Sequence, residues 1–161
     1  ASDVYKRQRV WTMNKEEGLN INISAPNLIS VCVDTSDRGE FSGRLYQCYS
    51  EEPWCFENVV QLLHLMDKLY DCISYPQAST ESRSFIKRDK EPILKLQKKI
   101  PQETILKQKG SVATFAIYVQ YRQNATWQGD VLWMERGIKQ HFYSALELIK
   151  LIDSALGEYE I

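Results

Sequence analysis

The residues best equipped for recognition lie together at 121–129. They are Tyr121, Arg122, Gln123, Asn124, Trp127 and Gln128, followed by Gly129. Amides and a guanidinium can hydrogen-bond a peptide, a sugar or a base edge, and aromatic rings supply contact area for stacking. The structural alternative puts Trp127 in the core and lets the amides satisfy a turn. Asp67 and Asp153 lie late in two apolar segments, and a paired-carboxylate site would push their pKa values apart if they were close and dry. His64 and His141 have no Cys or carboxylate at metal-ligand spacing, so no metal or other cofactor is expected. No residue is assigned a catalytic role. Asp34-x-Ser36-x-x-Gly39 has the form of half a cyclic-dinucleotide-binding signature, but its upstream arginine half is missing, and Asp, Ser and Gly are ordinary turn residues.

Two segments position these groups, and they resemble each other. Shifting the chain by 86 residues aligns 29–71 with 115–157 without a gap. Val33 meets Val119, Gly43 meets Gly129, Phe56 meets Phe142, Leu62 meets Leu148, Leu65 meets Leu151 and Asp67 meets Asp153. Each segment reads as two strands and a helix. In the first, Leu28–Thr35 and Phe41–Cys48 alternate as strands around the turn Ser36-Asp37-Arg38-Gly39, and Val59–Asp71 follows helical spacing. In the second, Thr114–Arg122 and Trp127–Glu135 alternate around Gln123–Thr126, and Ala145–Leu156 forms a broad apolar helix ending at Gly157. Asn58 with Gln61, and Ser144 with Glu147, have the spacing of capping boxes.

A lone ββα unit is marginal, and two of them can join their ribbons. The expected fold is therefore α+β: a duplicated ββα unit giving a mostly antiparallel four-stranded sheet, with two helices on one face and an approximate twofold axis. A fifth strand over Leu19–Ser24 is compatible with it. Gly43 and Gly129, both mid-strand, are expected to make room for a close-packed helix.

One compact domain is expected from 161 residues. Its parts are a tail over 1–10, a first unit with its preceding strand over 11–72, a connector over 73–112 and a second unit over 113–161. The tail stretch Asp3–Gln8 is similar to the translation of a transposon adapter used in sequencing libraries, so it is expected to be non-native. Within the connector, Pro92 is expected to open a short helix that Pro101 ends. Residues 83–109 hold nine basic and three acidic residues, net +6, leaving −7 for the rest of a chain whose total is −1. That run either complements the acidic parts it crosses or meets an anionic partner. The four cysteines, at 32, 48, 55 and 72, form no CxxC pair and are expected to be reduced and structural. No apolar run reaches the ~20 residues of a membrane span, and no leader is evident, so a cytoplasmic protein without membrane contact is expected.

The run Tyr121-Arg-Gln-Asn-x-x-Trp-Gln-Gly129, with Ser144–Leu156, resembles a large family of short uncharacterised proteins from Firmicutes-type gut bacteria. Tyr75-Pro76-Gln77-Ala78 and Arg83-Ser84-Phe85 look like a second signature of that group. The resemblance covers most of 28–157 and implies a bacterial cytoplasmic protein. It brings no activity and no functional residues. The sequence is therefore read as a non-enzymatic binding or regulatory protein, recognising a protein or small molecule near the 121–129 hairpin. The alternatives are a nucleic-acid-associated factor using 83–109 and an enzyme of unknown class. A homo-oligomer is compatible with each.

Overall fold

A computed structural model describes residues 21, 24–76, 85–86, 97–122 and 126–157. The chain is α+β. Its strands are β1 (Ile29–Asp37), β2 (Glu40–Gln47), β3 (Trp54–Phe56), β4 (Ala113–Tyr121), β5 (Gln128–Trp133) and β6 (Ile138–Phe142). Its helices are α1 (Val59–Ile73), α2 (Gln102–Leu106) and α3 (Ala145–Leu156). All six strands join one sheet in the order β3-β2-β1-β4-β5-β6, and every pairing is antiparallel.

The sheet thus has six strands instead of the expected four. Each ββα segment gains a third, outer strand, β3 or β6. Trp54–Phe56 is only three residues long, and Ile138–Phe142 is largely exposed, with only Phe142 buried. Such edge strands face water on most sides, so neither carries a strong alternating pattern.

The register of the two halves agrees residue by residue. Val33 pairs with Gly43 and Gly43 with Phe56. Val119 pairs with Gly129 and Gly129 with Phe142. The ladder shifts between Val33 and Thr35 in one half and between Val119 and Tyr121 in the other. At the centre, Ser30 of β1 pairs with Ala116 of β4, its own counterpart 86 positions on.

Both long helices pack on one face of this sheet. Leu62, Met66, Leu69 and Tyr70 of α1 are buried, and so are Leu148, Ile152, Ala155 and Leu156 of α3, at the same four helical positions. They meet Ile29, Val31, Val33, Phe115, Ile117 and Val119 in one cluster. The buried stripe of α3 is narrower than its apolar sequence: Leu146 is 64% exposed, as is Val60 at 61% in the same position of α1. The caps are as expected. Asn58 Oδ1 accepts from Gln61 N at 2.9 Å, and Ser144 Oγ accepts from Glu147 N at 3.0 Å. Each of these glutamine or glutamate side chains also accepts from the backbone N–H just before the cap, at Glu57 and Tyr143. Gly157 caps α3 in right-handed geometry, whereas α1 ends at Ser74 in the left-handed region, φ 52°.

The opposite face is partly covered. Leu28, Ala25, Ile21 and α2 residues Ile105 and Leu106 pack on Ala116, Tyr118 and Leu132. Gln102 Nε2 donates to Ala25 O at 2.9 Å, and Asn27 Nδ2 donates to Val119 O at 2.6 Å. Pro101 is the N-cap of α2 rather than the end of a helix, since proline's fixed φ suits a helix start. The expected Pro92 helix and the 1–10 tail lie outside the described residues, apart from 97–99, which are not helical. Of the expected Leu19–Ser24 strand only Ile21 and Ser24 are described, neither in a strand.

The two mid-strand glycines answer to the neighbouring strand and not to a helix. A Cβ at Gly43 would fall onto the Cys32 carbonyl oxygen, and one at Gly129 onto the Tyr118 carbonyl oxygen. The ladder irregularity beside each presses one backbone against the next, and only a residue without Cβ fits. Gly43→Ala and Gly129→Ala should therefore each cost about 2 kcal/mol or more, read as a lower urea midpoint. Two variants as stable as the parent would show that the strands can slide apart to admit a methyl group.

Candidate functional site

Among the described residues, the more exposed part of the outer face lies at the Tyr121 end of β4, at the start of β5 and along β6. Alternation along β5 sends Gly129, Val131 and Trp133 toward the helices and Gln128, Asp130 and Leu132 outward. Asp130 sits in a cross-strand row between Tyr118 of β4 and His141 of β6. His141 Nδ1 lies 3.0 Å from Asp130 Oδ1, and the His141 ring meets the edge of Tyr143 at a centroid distance of 4.7 Å. One step along, Gln128 pairs with Tyr121 across the second bulge. Tyr121 is 47% exposed and Tyr143 63%. The Gln120 amide reaches the Tyr121 hydroxyl at 3.3 Å. This patch therefore presents aromatic rings beside a carboxylate, an imidazole and two amides, on rigid strands.

Tyr121 and Gln128 belong to that surface. Trp127 does not: it is half-buried on the helix side, with its ring edge-on to Tyr70 at 5.6 Å. Gln123 and Asn124 lie outside the described residues. Asp130, His141 and Tyr143 were missed because the strand that aligns them, β6, was not visible in the sequence. The signal that could have found them was Phe142, which matches Phe56 in the repeat.

Arg122 faces inward. It is 4% exposed and is the only charged residue among the buried ones described. Its Nε donates to Pro76 O at 2.7 Å, and its Nη1 lies 3.0 Å from both Asp67 Oδ1 and Asp71 Oδ1. Its guanidinium also sits over the Tyr70 ring, 5.5 Å from the centroid. An arginine held this way positions its surroundings and is poorly placed to meet a partner. The proposed pairing of Asp67 with Asp153 does not occur: Asp67 binds Arg122, and Asp153 is exposed on α3.

Burial, then the charge of Asp71, raise the Asp67 pKa above its ordinary 3.8, against the opposing pull of Arg122 and His64. Burial also drives the Tyr70 hydroxyl far above its usual range.

The segment Asp34–Gly39 is equally structural. Asp34 takes a two-pronged contact from Arg44, at 2.9 and 3.3 Å, and accepts from Ser111 N at 3.1 Å. Desolvation pushes its pKa up, but the hydrogen bonds from Arg44 and Ser111 together hold it below 3.8. Arg38 and Gly39 turn the hairpin with φ of 50° and 84°. All four cysteines are free thiols; Cys32 and Cys48 are buried, whereas Cys55 is exposed and no core residue. Among the described residues no three His, Cys, Asp or Glu side chains converge as metal ligands. Among the described residues no helix is long and apolar enough to cross a membrane.

No protein-family model, curated protein or solved structure matches the chain.

The raised Asp67 pKa fixes a sign. A carboxylate held above its ordinary value favours the fold when protonated, and that contribution is lost as pH rises through its folded value. Asp67→Asn keeps an acceptor for Arg122 and removes the charge. Its stability relative to the parent should improve as the pH rises through and above the ordinary carboxylate range in urea titrations. A difference that stays constant over that rise would rule out a desolvated carboxylate at this position.

Proposed function

We propose that this chain is a non-enzymatic binding protein that recognises a protein or small-molecule partner through the outer face of β4–β6, beside the 121–129 hairpin. The observation that carries the reading is the contrast between equivalent positions in the two halves. Where the second half has Tyr121, Gln128, Asp130, His141 and Tyr143, the first has Thr35, Ser42, Arg44, Cys55 and Glu57. The two sets are exposed to a similar degree and differ in chemistry. In the first, the Thr35 and Ser42 hydroxyls bond each other and Arg44 bonds Asp34, the Tyr46 hydroxyl and Lys109 O, while Cys55 and Glu57 are exposed. In the second, two exposed tyrosines flank the Asp130–His141 pair. Exposed aromatic residues on a strand framework are a feature of recognition surfaces, because they add contact area at little entropic cost.

The reading includes two finer points. The two halves are taken as copies of one βββα unit, supported by their common register, caps and buried helix positions. The protein is taken to act in the bacterial cytoplasm, as the resemblance of its C-terminal run implies.

A second reading has its own support. Lys98, Lys99, Lys107 and Lys109 are all exposed, at the described end of the basic connector, where they could contact nucleic-acid phosphates.

The first reading is tested on a partner identified by co-purification from the host and then titrated in pure form. The double variant Tyr121→Ala/Tyr143→Ala should weaken binding about tenfold or more while the thermal midpoint hardly moves, since both side chains are exposed. Binding that survives both substitutions would remove this face from consideration. For the second reading, affinity for single- or double-stranded nucleic acid should fall at least about tenfold between about 50 and about 200 mM salt. No binding, or a flat response, would remove the connector as a nucleic-acid site.

A further inference from the structure

We infer that Arg122 is a latch that couples the start of the basic connector to the recognition face, an inference that rests on the reading of that face given above. The donors of this one side chain are divided between two places. Nε holds Pro76 O, where the chain leaves α1 for the connector, and Nη1 holds Asp67 and Asp71 on α1 itself. The backbone of Arg122 follows directly on Tyr121, which stands on the outer face and pairs with Gln128. One guanidinium therefore joins the exit from α1 to the strand end that carries Tyr121.

Three acceptors share this guanidinium, so the loss of one leaves it paired. Without both carboxylates it would be a charge left unpaired in a buried place, which is strongly unfavourable, and withdrawal into water would then compete with the seated position. Seated, it fixes the end of β4 and the exit from α1 together. Withdrawn, it leaves Pro76 O, Asp67 and Asp71 to water and frees the strand end that carries Tyr121. Whatever pulls the connector away from α1 also loosens Tyr121, and a partner that orders Tyr121 also fastens the connector, because such coupling is reciprocal.

In the first half the counterpart of Arg122 is Ser36, which enters a tight turn at Arg38 and Gly39. An ion pair there, Arg44 with Asp34, ties its hairpin to Lys109 O and Ser111 N at the far end of the connector, but it is partly solvated, at 31% and 29% exposure for the two side chains. The buried arginine belongs to the half that carries the aromatic face.

Hydrogen exchange on the full chain tests this without any ligand. Two sets of amides report the two ends. Ser74 N and Tyr75 N bond to Asp71 O and Tyr70 O at the exit from α1, and Tyr118–Arg122 report the end of β4. In Asp67→Asn/Asp71→Asn both sets should exchange faster together, by about tenfold or more, while Ile29–Val33 and Ala113–Ile117 at the sheet centre keep their protection. Should that variant fail to fold, Arg122→Met, which leaves no buried charge, reads the same two sets and should accelerate both. Arg44→Met should leave both unchanged. Acceleration of one set alone, or of the sheet centre along with both, overturns the latch. Uncoupled exchange with binding still lost in Tyr121→Ala/Tyr143→Ala removes the latch and leaves the recognition face standing. Coupled exchange with binding intact in that variant removes the face instead.

Discussion

β1 and β4 pair antiparallel over Ile29–Val33 and Ala113–Ile117, and the rest of the molecule hangs from that ladder. Each half alone would be a three-stranded ribbon under one helix, with a raw edge at β1 or β4. Those two strands are the most apolar in the chain, buried from Ile29 to Val33 and from Ala113 to Val119. Edges of that kind invite uncontrolled pairing. Joined, they become the centre of the sheet, and the exposed edges fall to β3 and β6, which are short or polar. The ladder also lines up the two helix stripes, so that Ile29, Val31, Phe115 and Ile117 receive α1 and α3 in one continuous core. The bulges after Val33 and Val119 follow from the same layout, and with them the requirement for glycine at 43 and 129.

Elements buried on one side and wetted on the other were legible in the sequence, because burial writes a period into them. β2, β5, α1 and α3 carry one, β1 and β4 alternate large apolar with small or polar residues although both of their faces are buried, and the capping pairs at Asn58 and Ser144 mark the helix starts. β3 and β6 carry almost none. Trp54–Phe56 is too short to alternate, and Lys139, Gln140 and His141 face water or the sheet's flank. The glycines were found but explained by the wrong neighbour, since a bulge cannot be read from one strand. α2 was not anticipated, because Pro101 starts a helix as readily as it ends one.

The site divides in the same way. Tyr121 and Gln128 were found because they flank a hairpin between two visible strands. Asp130, His141 and Tyr143 come together only through the register of β6. Arg122 was the hardest case. An arginine in a polar hairpin reads as solvent-facing, and its partners Asp67 and Asp71 lie more than fifty residues earlier on what looks like an ordinary helix. Their spacing of four residues puts both carboxylates on one face of α1, but nothing in the local sequence says that an arginine will enter between them.

Two ion pairs of similar length thus do different work. Asp34–Arg44 is partly solvated, so it adds little stability and chiefly ties one hairpin to Lys109 and Ser111. Arg122 is desolvated, whereas Asp67 and Asp71 keep 36% and 63% of their side chains exposed, so water screens part of the contact; removing both carboxylates would leave the arginine's charge behind. A hydrophobic residue would fill the same space without that liability. Retaining arginine there ties Pro76, α1 and the end of β4 together through one side chain. The half of the sheet that carries the exposed tyrosines is also the half whose strand end is held by a buried arginine, which is the physical basis for proposing that the two features act together.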